Sequence, residues 1–130
     1  MVSSTGVRET ITTLNDLQQR LGLLQARDLD FFAEWTDNLP SLMGQQQVGL
    51  ERIKQRYDYH RADGLLLEGT INLVVVSPLL ELLGFLDPPF RLKSPYGIAV
   101  ELQDPDEIVR GFIDVLVLQE NLWILTVESK

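Results

Sequence analysis

The chain predicts an α+β fold, N-terminal helices followed by an antiparallel β-meander. Three observations carry this. Apolar residues recur at helical spacing as far as Leu83. Gly84-Phe85 and Asp87-Pro88-Pro89 then interrupt that pattern. Beyond them, short β-branched and aromatic runs alternate with polar turns. With 130 residues the chain supplies one compact domain, read as a helical region over 1–64 and a core over 65–130.

The elements follow in order. Thr12 or Thr13 caps a first short helix through about Leu21, with Leu14, Leu17 and Leu21 as its apolar stripe and Gly22 as its stop. Asp28 caps a second, with Leu29, Phe32, Ala33 and Trp35 as apolar bulk and Asn38-Leu39-Pro40 as its end. A longer polar helix is expected from about Gly44 to Arg61, with Val48, Ile53 and Tyr57 pointing one way, before Ala62-Asp63-Gly64 breaks it. The stretch from Leu65 to Leu83 reads two ways. Its β-branched Ile71, Val74, Val75 and Val76 suit a buried strand. Its length, the polar opening Glu68-Gly69-Thr70 and Leu79-Leu80-Glu81-Leu82-Leu83 favour a buried helix, kinked or restarted at Ser77-Pro78. Strands are then expected over Phe90 to Lys93 and Ile98 to Leu102, a turn at Asp104-Pro105-Asp106, and a final hairpin of Phe112 to Leu118 and Leu122 to Val127 around Gln119-Glu120-Asn121.

Composition narrows the chemistry. There is no cysteine, which excludes disulfides and thiolate metal sites, and the single histidine, His60, argues against a histidine-built zinc site. Any metal is therefore a hard cation held by oxygen, magnesium or manganese. The N-terminus lacks a signal-peptide pattern and the longest apolar run, Ile71 to Phe85, is too short and interrupted to span a bilayer. A soluble cytoplasmic protein without a membrane partner is expected. Eleven basic against nineteen acidic residues give a formal charge of -8, which opposes a nucleic-acid grip spread over the whole surface. A local acidic site that recruits a divalent cation is compatible with it.

Asp114, Glu128 and Lys130 are the residues a plain hairpin core does not explain, because charges on half-buried strands cost desolvation. With Gln119-Glu120-Asn121 as a three-residue loop, Leu118 pairs with Leu122 and Asp114 lies opposite Thr126. Asp114 and Glu128 are then diagonal neighbours, roughly 7–8 Å apart at the backbone, and converge on one cation. A two-residue loop moves Asp114 to the face of Val127 and separates the pair. Carboxylates holding magnesium, with Lys130 beside them, suit hydrolysis of a phosphodiester. On spacing alone, a solvated strand end with a surface ion pair accounts for the same residues.

A second stretch adds to this. "EGTINLVVVSPLLELLGF" places Glu68 ten residues before Pro78-Leu79-Leu80, with Leu83-Gly84-Phe85 following. It resembles the helix that opens the nuclease domain of type I restriction enzyme R subunits, in the PD-(D/E)XK superfamily. "GFIDVLVLQENLWILTVESK" resembles the two motif strands of that family, in the same order, so the likeness covers about Leu65 to Lys130. The resemblance implies a restriction-endonuclease-like core, Asp114 and Glu128 as metal ligands, Lys130 as catalytic lysine and Glu68 completing the acidic cluster. It also implies Mg2+ or Mn2+ as cofactor and DNA as substrate. Ile113 stands where the family's name has proline. The family's fold continues after the lysine with a helix and another strand. The chain is accordingly expected to be truncated after its second motif strand and to form a homo-oligomer through the exposed sheet edge. A non-catalytic interaction or regulatory module on the same fold is the alternative, and a small structural protein with a chance motif the third reading. Glu81 reads as solvated, His60 as a helix-end residue, Arg56 and Arg61 as surface charges able to touch phosphate, Trp35 and Trp123 as packing residues, and Ser129 as facing away from the site.

Overall fold

The computed structural model describes residues 3–6, 10–101 and 107–129. Its architecture is α+β, helices followed by antiparallel strands in two three-stranded sheets, one of which also takes in a strand from the N-terminus. The chain divides into two compact units, Met1–Pro40 with Gly97–Phe112 and Ser41–Tyr96 with Ile113–Lys130. These are drawn from different stretches than the 1–64 and 65–130 division.

In the first unit, β1 (Ser3–Gly6) pairs in parallel with β4 (Glu107–Ile113), and β4 lies between β1 and β3 (Tyr96–Glu101). Helix α1 (Leu14–Leu21) is set by its ends. Thr13 caps it, with the Asp16 N–H donating to Thr13 Oγ1 and the Thr13 N–H donating back to Asp16 Oδ2. Gly22 closes it at φ 66°, a left-handed conformation that a Cβ disfavours. The apolar stripe of α1 is not buried: Leu14 is 70% exposed. The helix expected from Asp28 to Asn38 does not form. Asp28 instead accepts the Asp30 N–H at 3.0 Å, closing a local turn that competes with helix. Only a 3-10 turn, Ala33–Trp35, remains. Phe32 meets Phe31 edge-on at 4.9 Å and stacks on Trp35 at 4.6 Å.

The second unit holds α2 (Gly44–Arg61), the helical run α3 and the sheet β2 (Phe90–Lys93), β5 (Val115–Gln119) and β6 (Leu122–Val127), in the order β2-β5-β6. The ambiguous stretch is helical, in three consecutive pieces: Glu68–Ile71, Asn72–Val76 and Ser77–Leu82, together α3. The middle piece is a π-turn, with the Ser77 N–H reaching back five residues to the Asn72 carbonyl. Pro78 accounts for it. Proline brings no N–H for the carbonyl of Val74, its ring crowds that carbonyl, and a widened turn accommodates both. One face of the sheet packs on α3: Val76 and Leu80 meet Val115 and Val117, flanked by Phe90, Leu92, Leu125 and Val127. These alternate along their strands, as period-two geometry requires. Helix α2 buries Ile53 and approaches α3 at Gly49, where a Cβ would lie 2.6 Å from Leu82 Cδ1.

The strands therefore do not run as one meander, since β3 and β4 belong to one sheet and β2, β5 and β6 to the other. The sequence leaves β1 and most of β4 unread, because their pairing is non-local. The expected turn at Asp104-Pro105-Asp106 lies outside the described residues. No described helix is long and apolar enough to cross a membrane.

The capping box of α1 carries a pH dependence. The Thr12 N–H first, then the Thr13 side chain and N–H and the Thr12 hydroxyl, lower the Asp16 pKa from 3.8 to about 2. A depressed carboxylate contributes stability above its unfolded value, and that contribution is lost as pH falls from about 4 towards 2. The backbone NMR shifts of residues 14–21 are expected to move away from helical values across that window. Asp16→Asn is expected to weaken the helix already at neutral pH and to flatten the titration.

Candidate functional site

Asp114 is the centre of the candidate site. The strand expected from Phe112 to Leu118 is interrupted there: β4 ends at Ile113, β5 begins at Val115, and Asp114 makes the bend between them. Its own bonds explain the break. The carbonyl accepts the Ser94 hydroxyl at 2.6 Å, while the carboxylate Oδ2 accepts both the Ser129 N–H at 2.8 Å and the Ser129 hydroxyl at 3.0 Å. Ser129 is buried, so its N–H and hydroxyl need partners inside the protein. The sequence places Ser129 on the face away from the site; in the structure it is the residue that holds Asp114.

The hairpin register differs from the expected one in two steps that offset each other. The loop has two residues, not three: Gln119 pairs with Leu122, and Glu120 takes a left-handed φ of 56°. Alone, that would turn Asp114 to the other face. A bulge between Val117 and Leu118 then inserts one residue on β6, so that Val117 pairs with Leu125, Leu116 with Thr126 and Val115 with Val127. The ladder ends there, so Asp114, in the bend before β5, and Glu128, just after β6, stand one residue beyond its last pair, where the expectation was a diagonal pair within it.

Glu128 and Ser129 leave the ladder after β6 and line a groove of about 520 Å³. Ile53, Lys54 and Tyr57 of α2 form one wall, and Ile71 and Val75 of α3 the other. Glu68 is the first residue of α3, one turn before Ile71, and does not itself line the groove. It is exposed. Lys130 lies outside the described residues.

Among the described residues no group of three or more carboxylates or histidines is gathered to hold a metal, so Glu68, Asp114 and Glu128 do not form a ready three-ligand cage. As a donor set, Asp114 and Glu128 fit a magnesium-type ion, which takes oxygen ligands and commonly only one or two carboxylates. Sequence reasoning did not find Lys54 as a residue of the groove that Glu128 lines. Its only signal is its position on the Tyr57 side of a polar helix.

Comparison with family models, curated proteins and solved structures yields no match to this chain.

Ser129→Ala is expected to lower stability by about 1–2 kcal/mol, because it removes a hydroxyl donor from a charged acceptor. Urea unfolding checks this as a lower midpoint at an unchanged slope. Ser129→Thr, which keeps the hydroxyl, is expected to lose less.

Proposed function

We propose that the chain carries a divalent-metal-dependent endonuclease site of restriction type, on a PD-(D/E)XK-like core, that hydrolyses DNA phosphodiesters. In this reading Asp114 and Glu128 hold Mg2+ or Mn2+, Glu68 completes the acidic set, and Lys130 acts on the phosphate. The supporting observation is the Asp114–Ser129 contact, which holds Asp114 beside the chain neighbour of Glu128 at the end of the hairpin, where Glu128 and Ser129 line an open groove. When bound, the metal supplies Lewis acidity and a water of lowered pKa. The chain supplies the rest. Ser129 fixes the Asp114 carboxylate against rotation, Glu128 brings its charge to the groove mouth, and Lys130 stabilises charge developing on the phosphate.

The second reading is a non-catalytic interaction or regulatory module. It is favoured by the Ser129 bonds themselves, since a carboxylate with two hydrogen bonds on one oxygen serves the fold whether or not a metal binds. Calorimetric titration with Mn2+ separates the two. The nuclease reading expects saturable binding in the wild type, its loss in Asp114→Asn and Glu128→Gln, and its retention in Lys130→Ala together with lost cleavage of plasmid DNA. Binding that is missing in the wild type, or untouched by both carboxamide variants, leaves the module.

We also propose that a second copy pairs along the outer edge of β6. That strand has β5 on one side only in its sheet and exposes Leu122 and Trp123 at 67% and 48%; such an edge is a template for another strand. Light scattering is expected to give a dimer or larger species, and Ile124→Pro to shift it towards monomer. A wild-type monomer at high concentration removes the idea.

A further inference from the structure

We propose that the groove between α2 and α3 receives an unpaired nucleotide of the substrate strand, with its base against Tyr57 and its flanking phosphates near Lys54 and Arg61; the biological setting of this inference rests on the nuclease reading. Helix α2 carries Leu50, Lys54, Tyr57 and Arg61 at positions i, i+4, i+7 and i+11, one face of the helix. Leu50, Lys54 and Tyr57 line the groove. The Arg61 guanidinium sits 5.9 Å from the centroid of the Tyr57 ring, inside cation–π range. Among the described residues neither Lys54 nor Arg61 has an ion-pair partner. The Tyr57 ring, with the Arg61 guanidinium over it and Lys54 one turn before it on the same helix face, therefore lines the same groove as Glu128.

The groove's chemistry selects the form of the ligand. Its walls are aliphatic apart from Tyr57, and its charged groups, Lys54 and Glu128, stand with Ser129. A duplex presents sugar and phosphate outward and keeps its bases stacked, so it has nothing apolar to bury here. Its grip would depend on many phosphate contacts, which a chain of net charge -8 does not spread over its surface. An unpaired base has an apolar face to offer, and stacking on an aromatic ring supplies binding that needs few cations. The volume, about 520 Å³, falls in the range of small-ligand sites, about 300–1,000 Å³. With the base in the groove, the Glu128 end faces the adjoining phosphodiester.

The test is fluorescence anisotropy of the full chain with labelled oligothymidylate and with a blunt duplex, without added metal. The single strand is expected to bind at least about tenfold more tightly than the duplex. Tyr57→Leu is expected to weaken it by about tenfold or more, the scale of one lost stacking contact, while Tyr57→Phe keeps the ring and the affinity. Lys54→Ala, at an exposed position, is expected to reduce the salt slope by about 0.7. Equal or tighter duplex binding, or an unchanged Tyr57→Leu, overturns the inference. The Mn2+ titration is scored separately. Metal binding without strand binding defeats the groove alone, and Tyr57-dependent strand binding without metal keeps the groove and defeats the nuclease reading.

Discussion

The second unit is organised around a single aspartate. Asp114 joins three stretches that are distant in sequence: Ser94, after β2, through its carbonyl; the start of β5, through the chain itself; and Ser129, after β6, through its carboxylate. Hydrogen bonds to a charged acceptor contribute about 1.5–3 kcal/mol each when partly shielded, a sizeable share of a small domain's net stability. They also fix alignment. A one-residue slip of β6 takes Ser129 out of reach of Oδ2, so the bulged register and the carboxylate contacts specify each other. The proposed chemistry and the strand alignment thus depend on the same side chain, and selection on either preserves it.

Around that centre the helices do different work. α3 lays Val76 and Leu80 on the sheet and anchors it, whereas α2 buries Ile53 and leaves most of its length in solvent. Polarity of that kind is usual for a helix held at one crossing rather than along a face. It also explains where positive charge can gather in an acidic protein: the exposed flanks of α2 carry Arg52, Lys54, Arg56 and Arg61.

Much of this was legible where the determinants are local. Thr13, Asp16 and Gly22 announce α1, and Gly44 to Arg61 is read at its observed bounds, because caps and breakers act within a few residues. The helix expected after Asp28 failed because a carboxylate that bonds its own backbone competes with helix, and hydrophobic content does not register that competition. The π-turn is implied by Pro78 only once the segment is known to be helical. β1 pairs with a strand about a hundred positions away, which no local pattern encodes. For the candidate site, Asp114 and Glu128 were legible as misfits in an apolar hairpin. Their alignment was not, since it depends on a bulge, and Ser129 was misplaced for the same reason.

Gly49 sets how closely the two helices of the second unit pack. Helices α2 and α3 meet where a single methyl would strike Leu82 Cδ1 at 2.6 Å, so their separation is held down by a missing atom rather than by an added contact. Alanine or serine there would first turn the Leu82 side chain aside, since the atoms it meets are the flexible end of a leucine and not backbone. The packing of α2 on α3 thus leaves room for exchange at its tightest point, at the cost of a repacked Leu82.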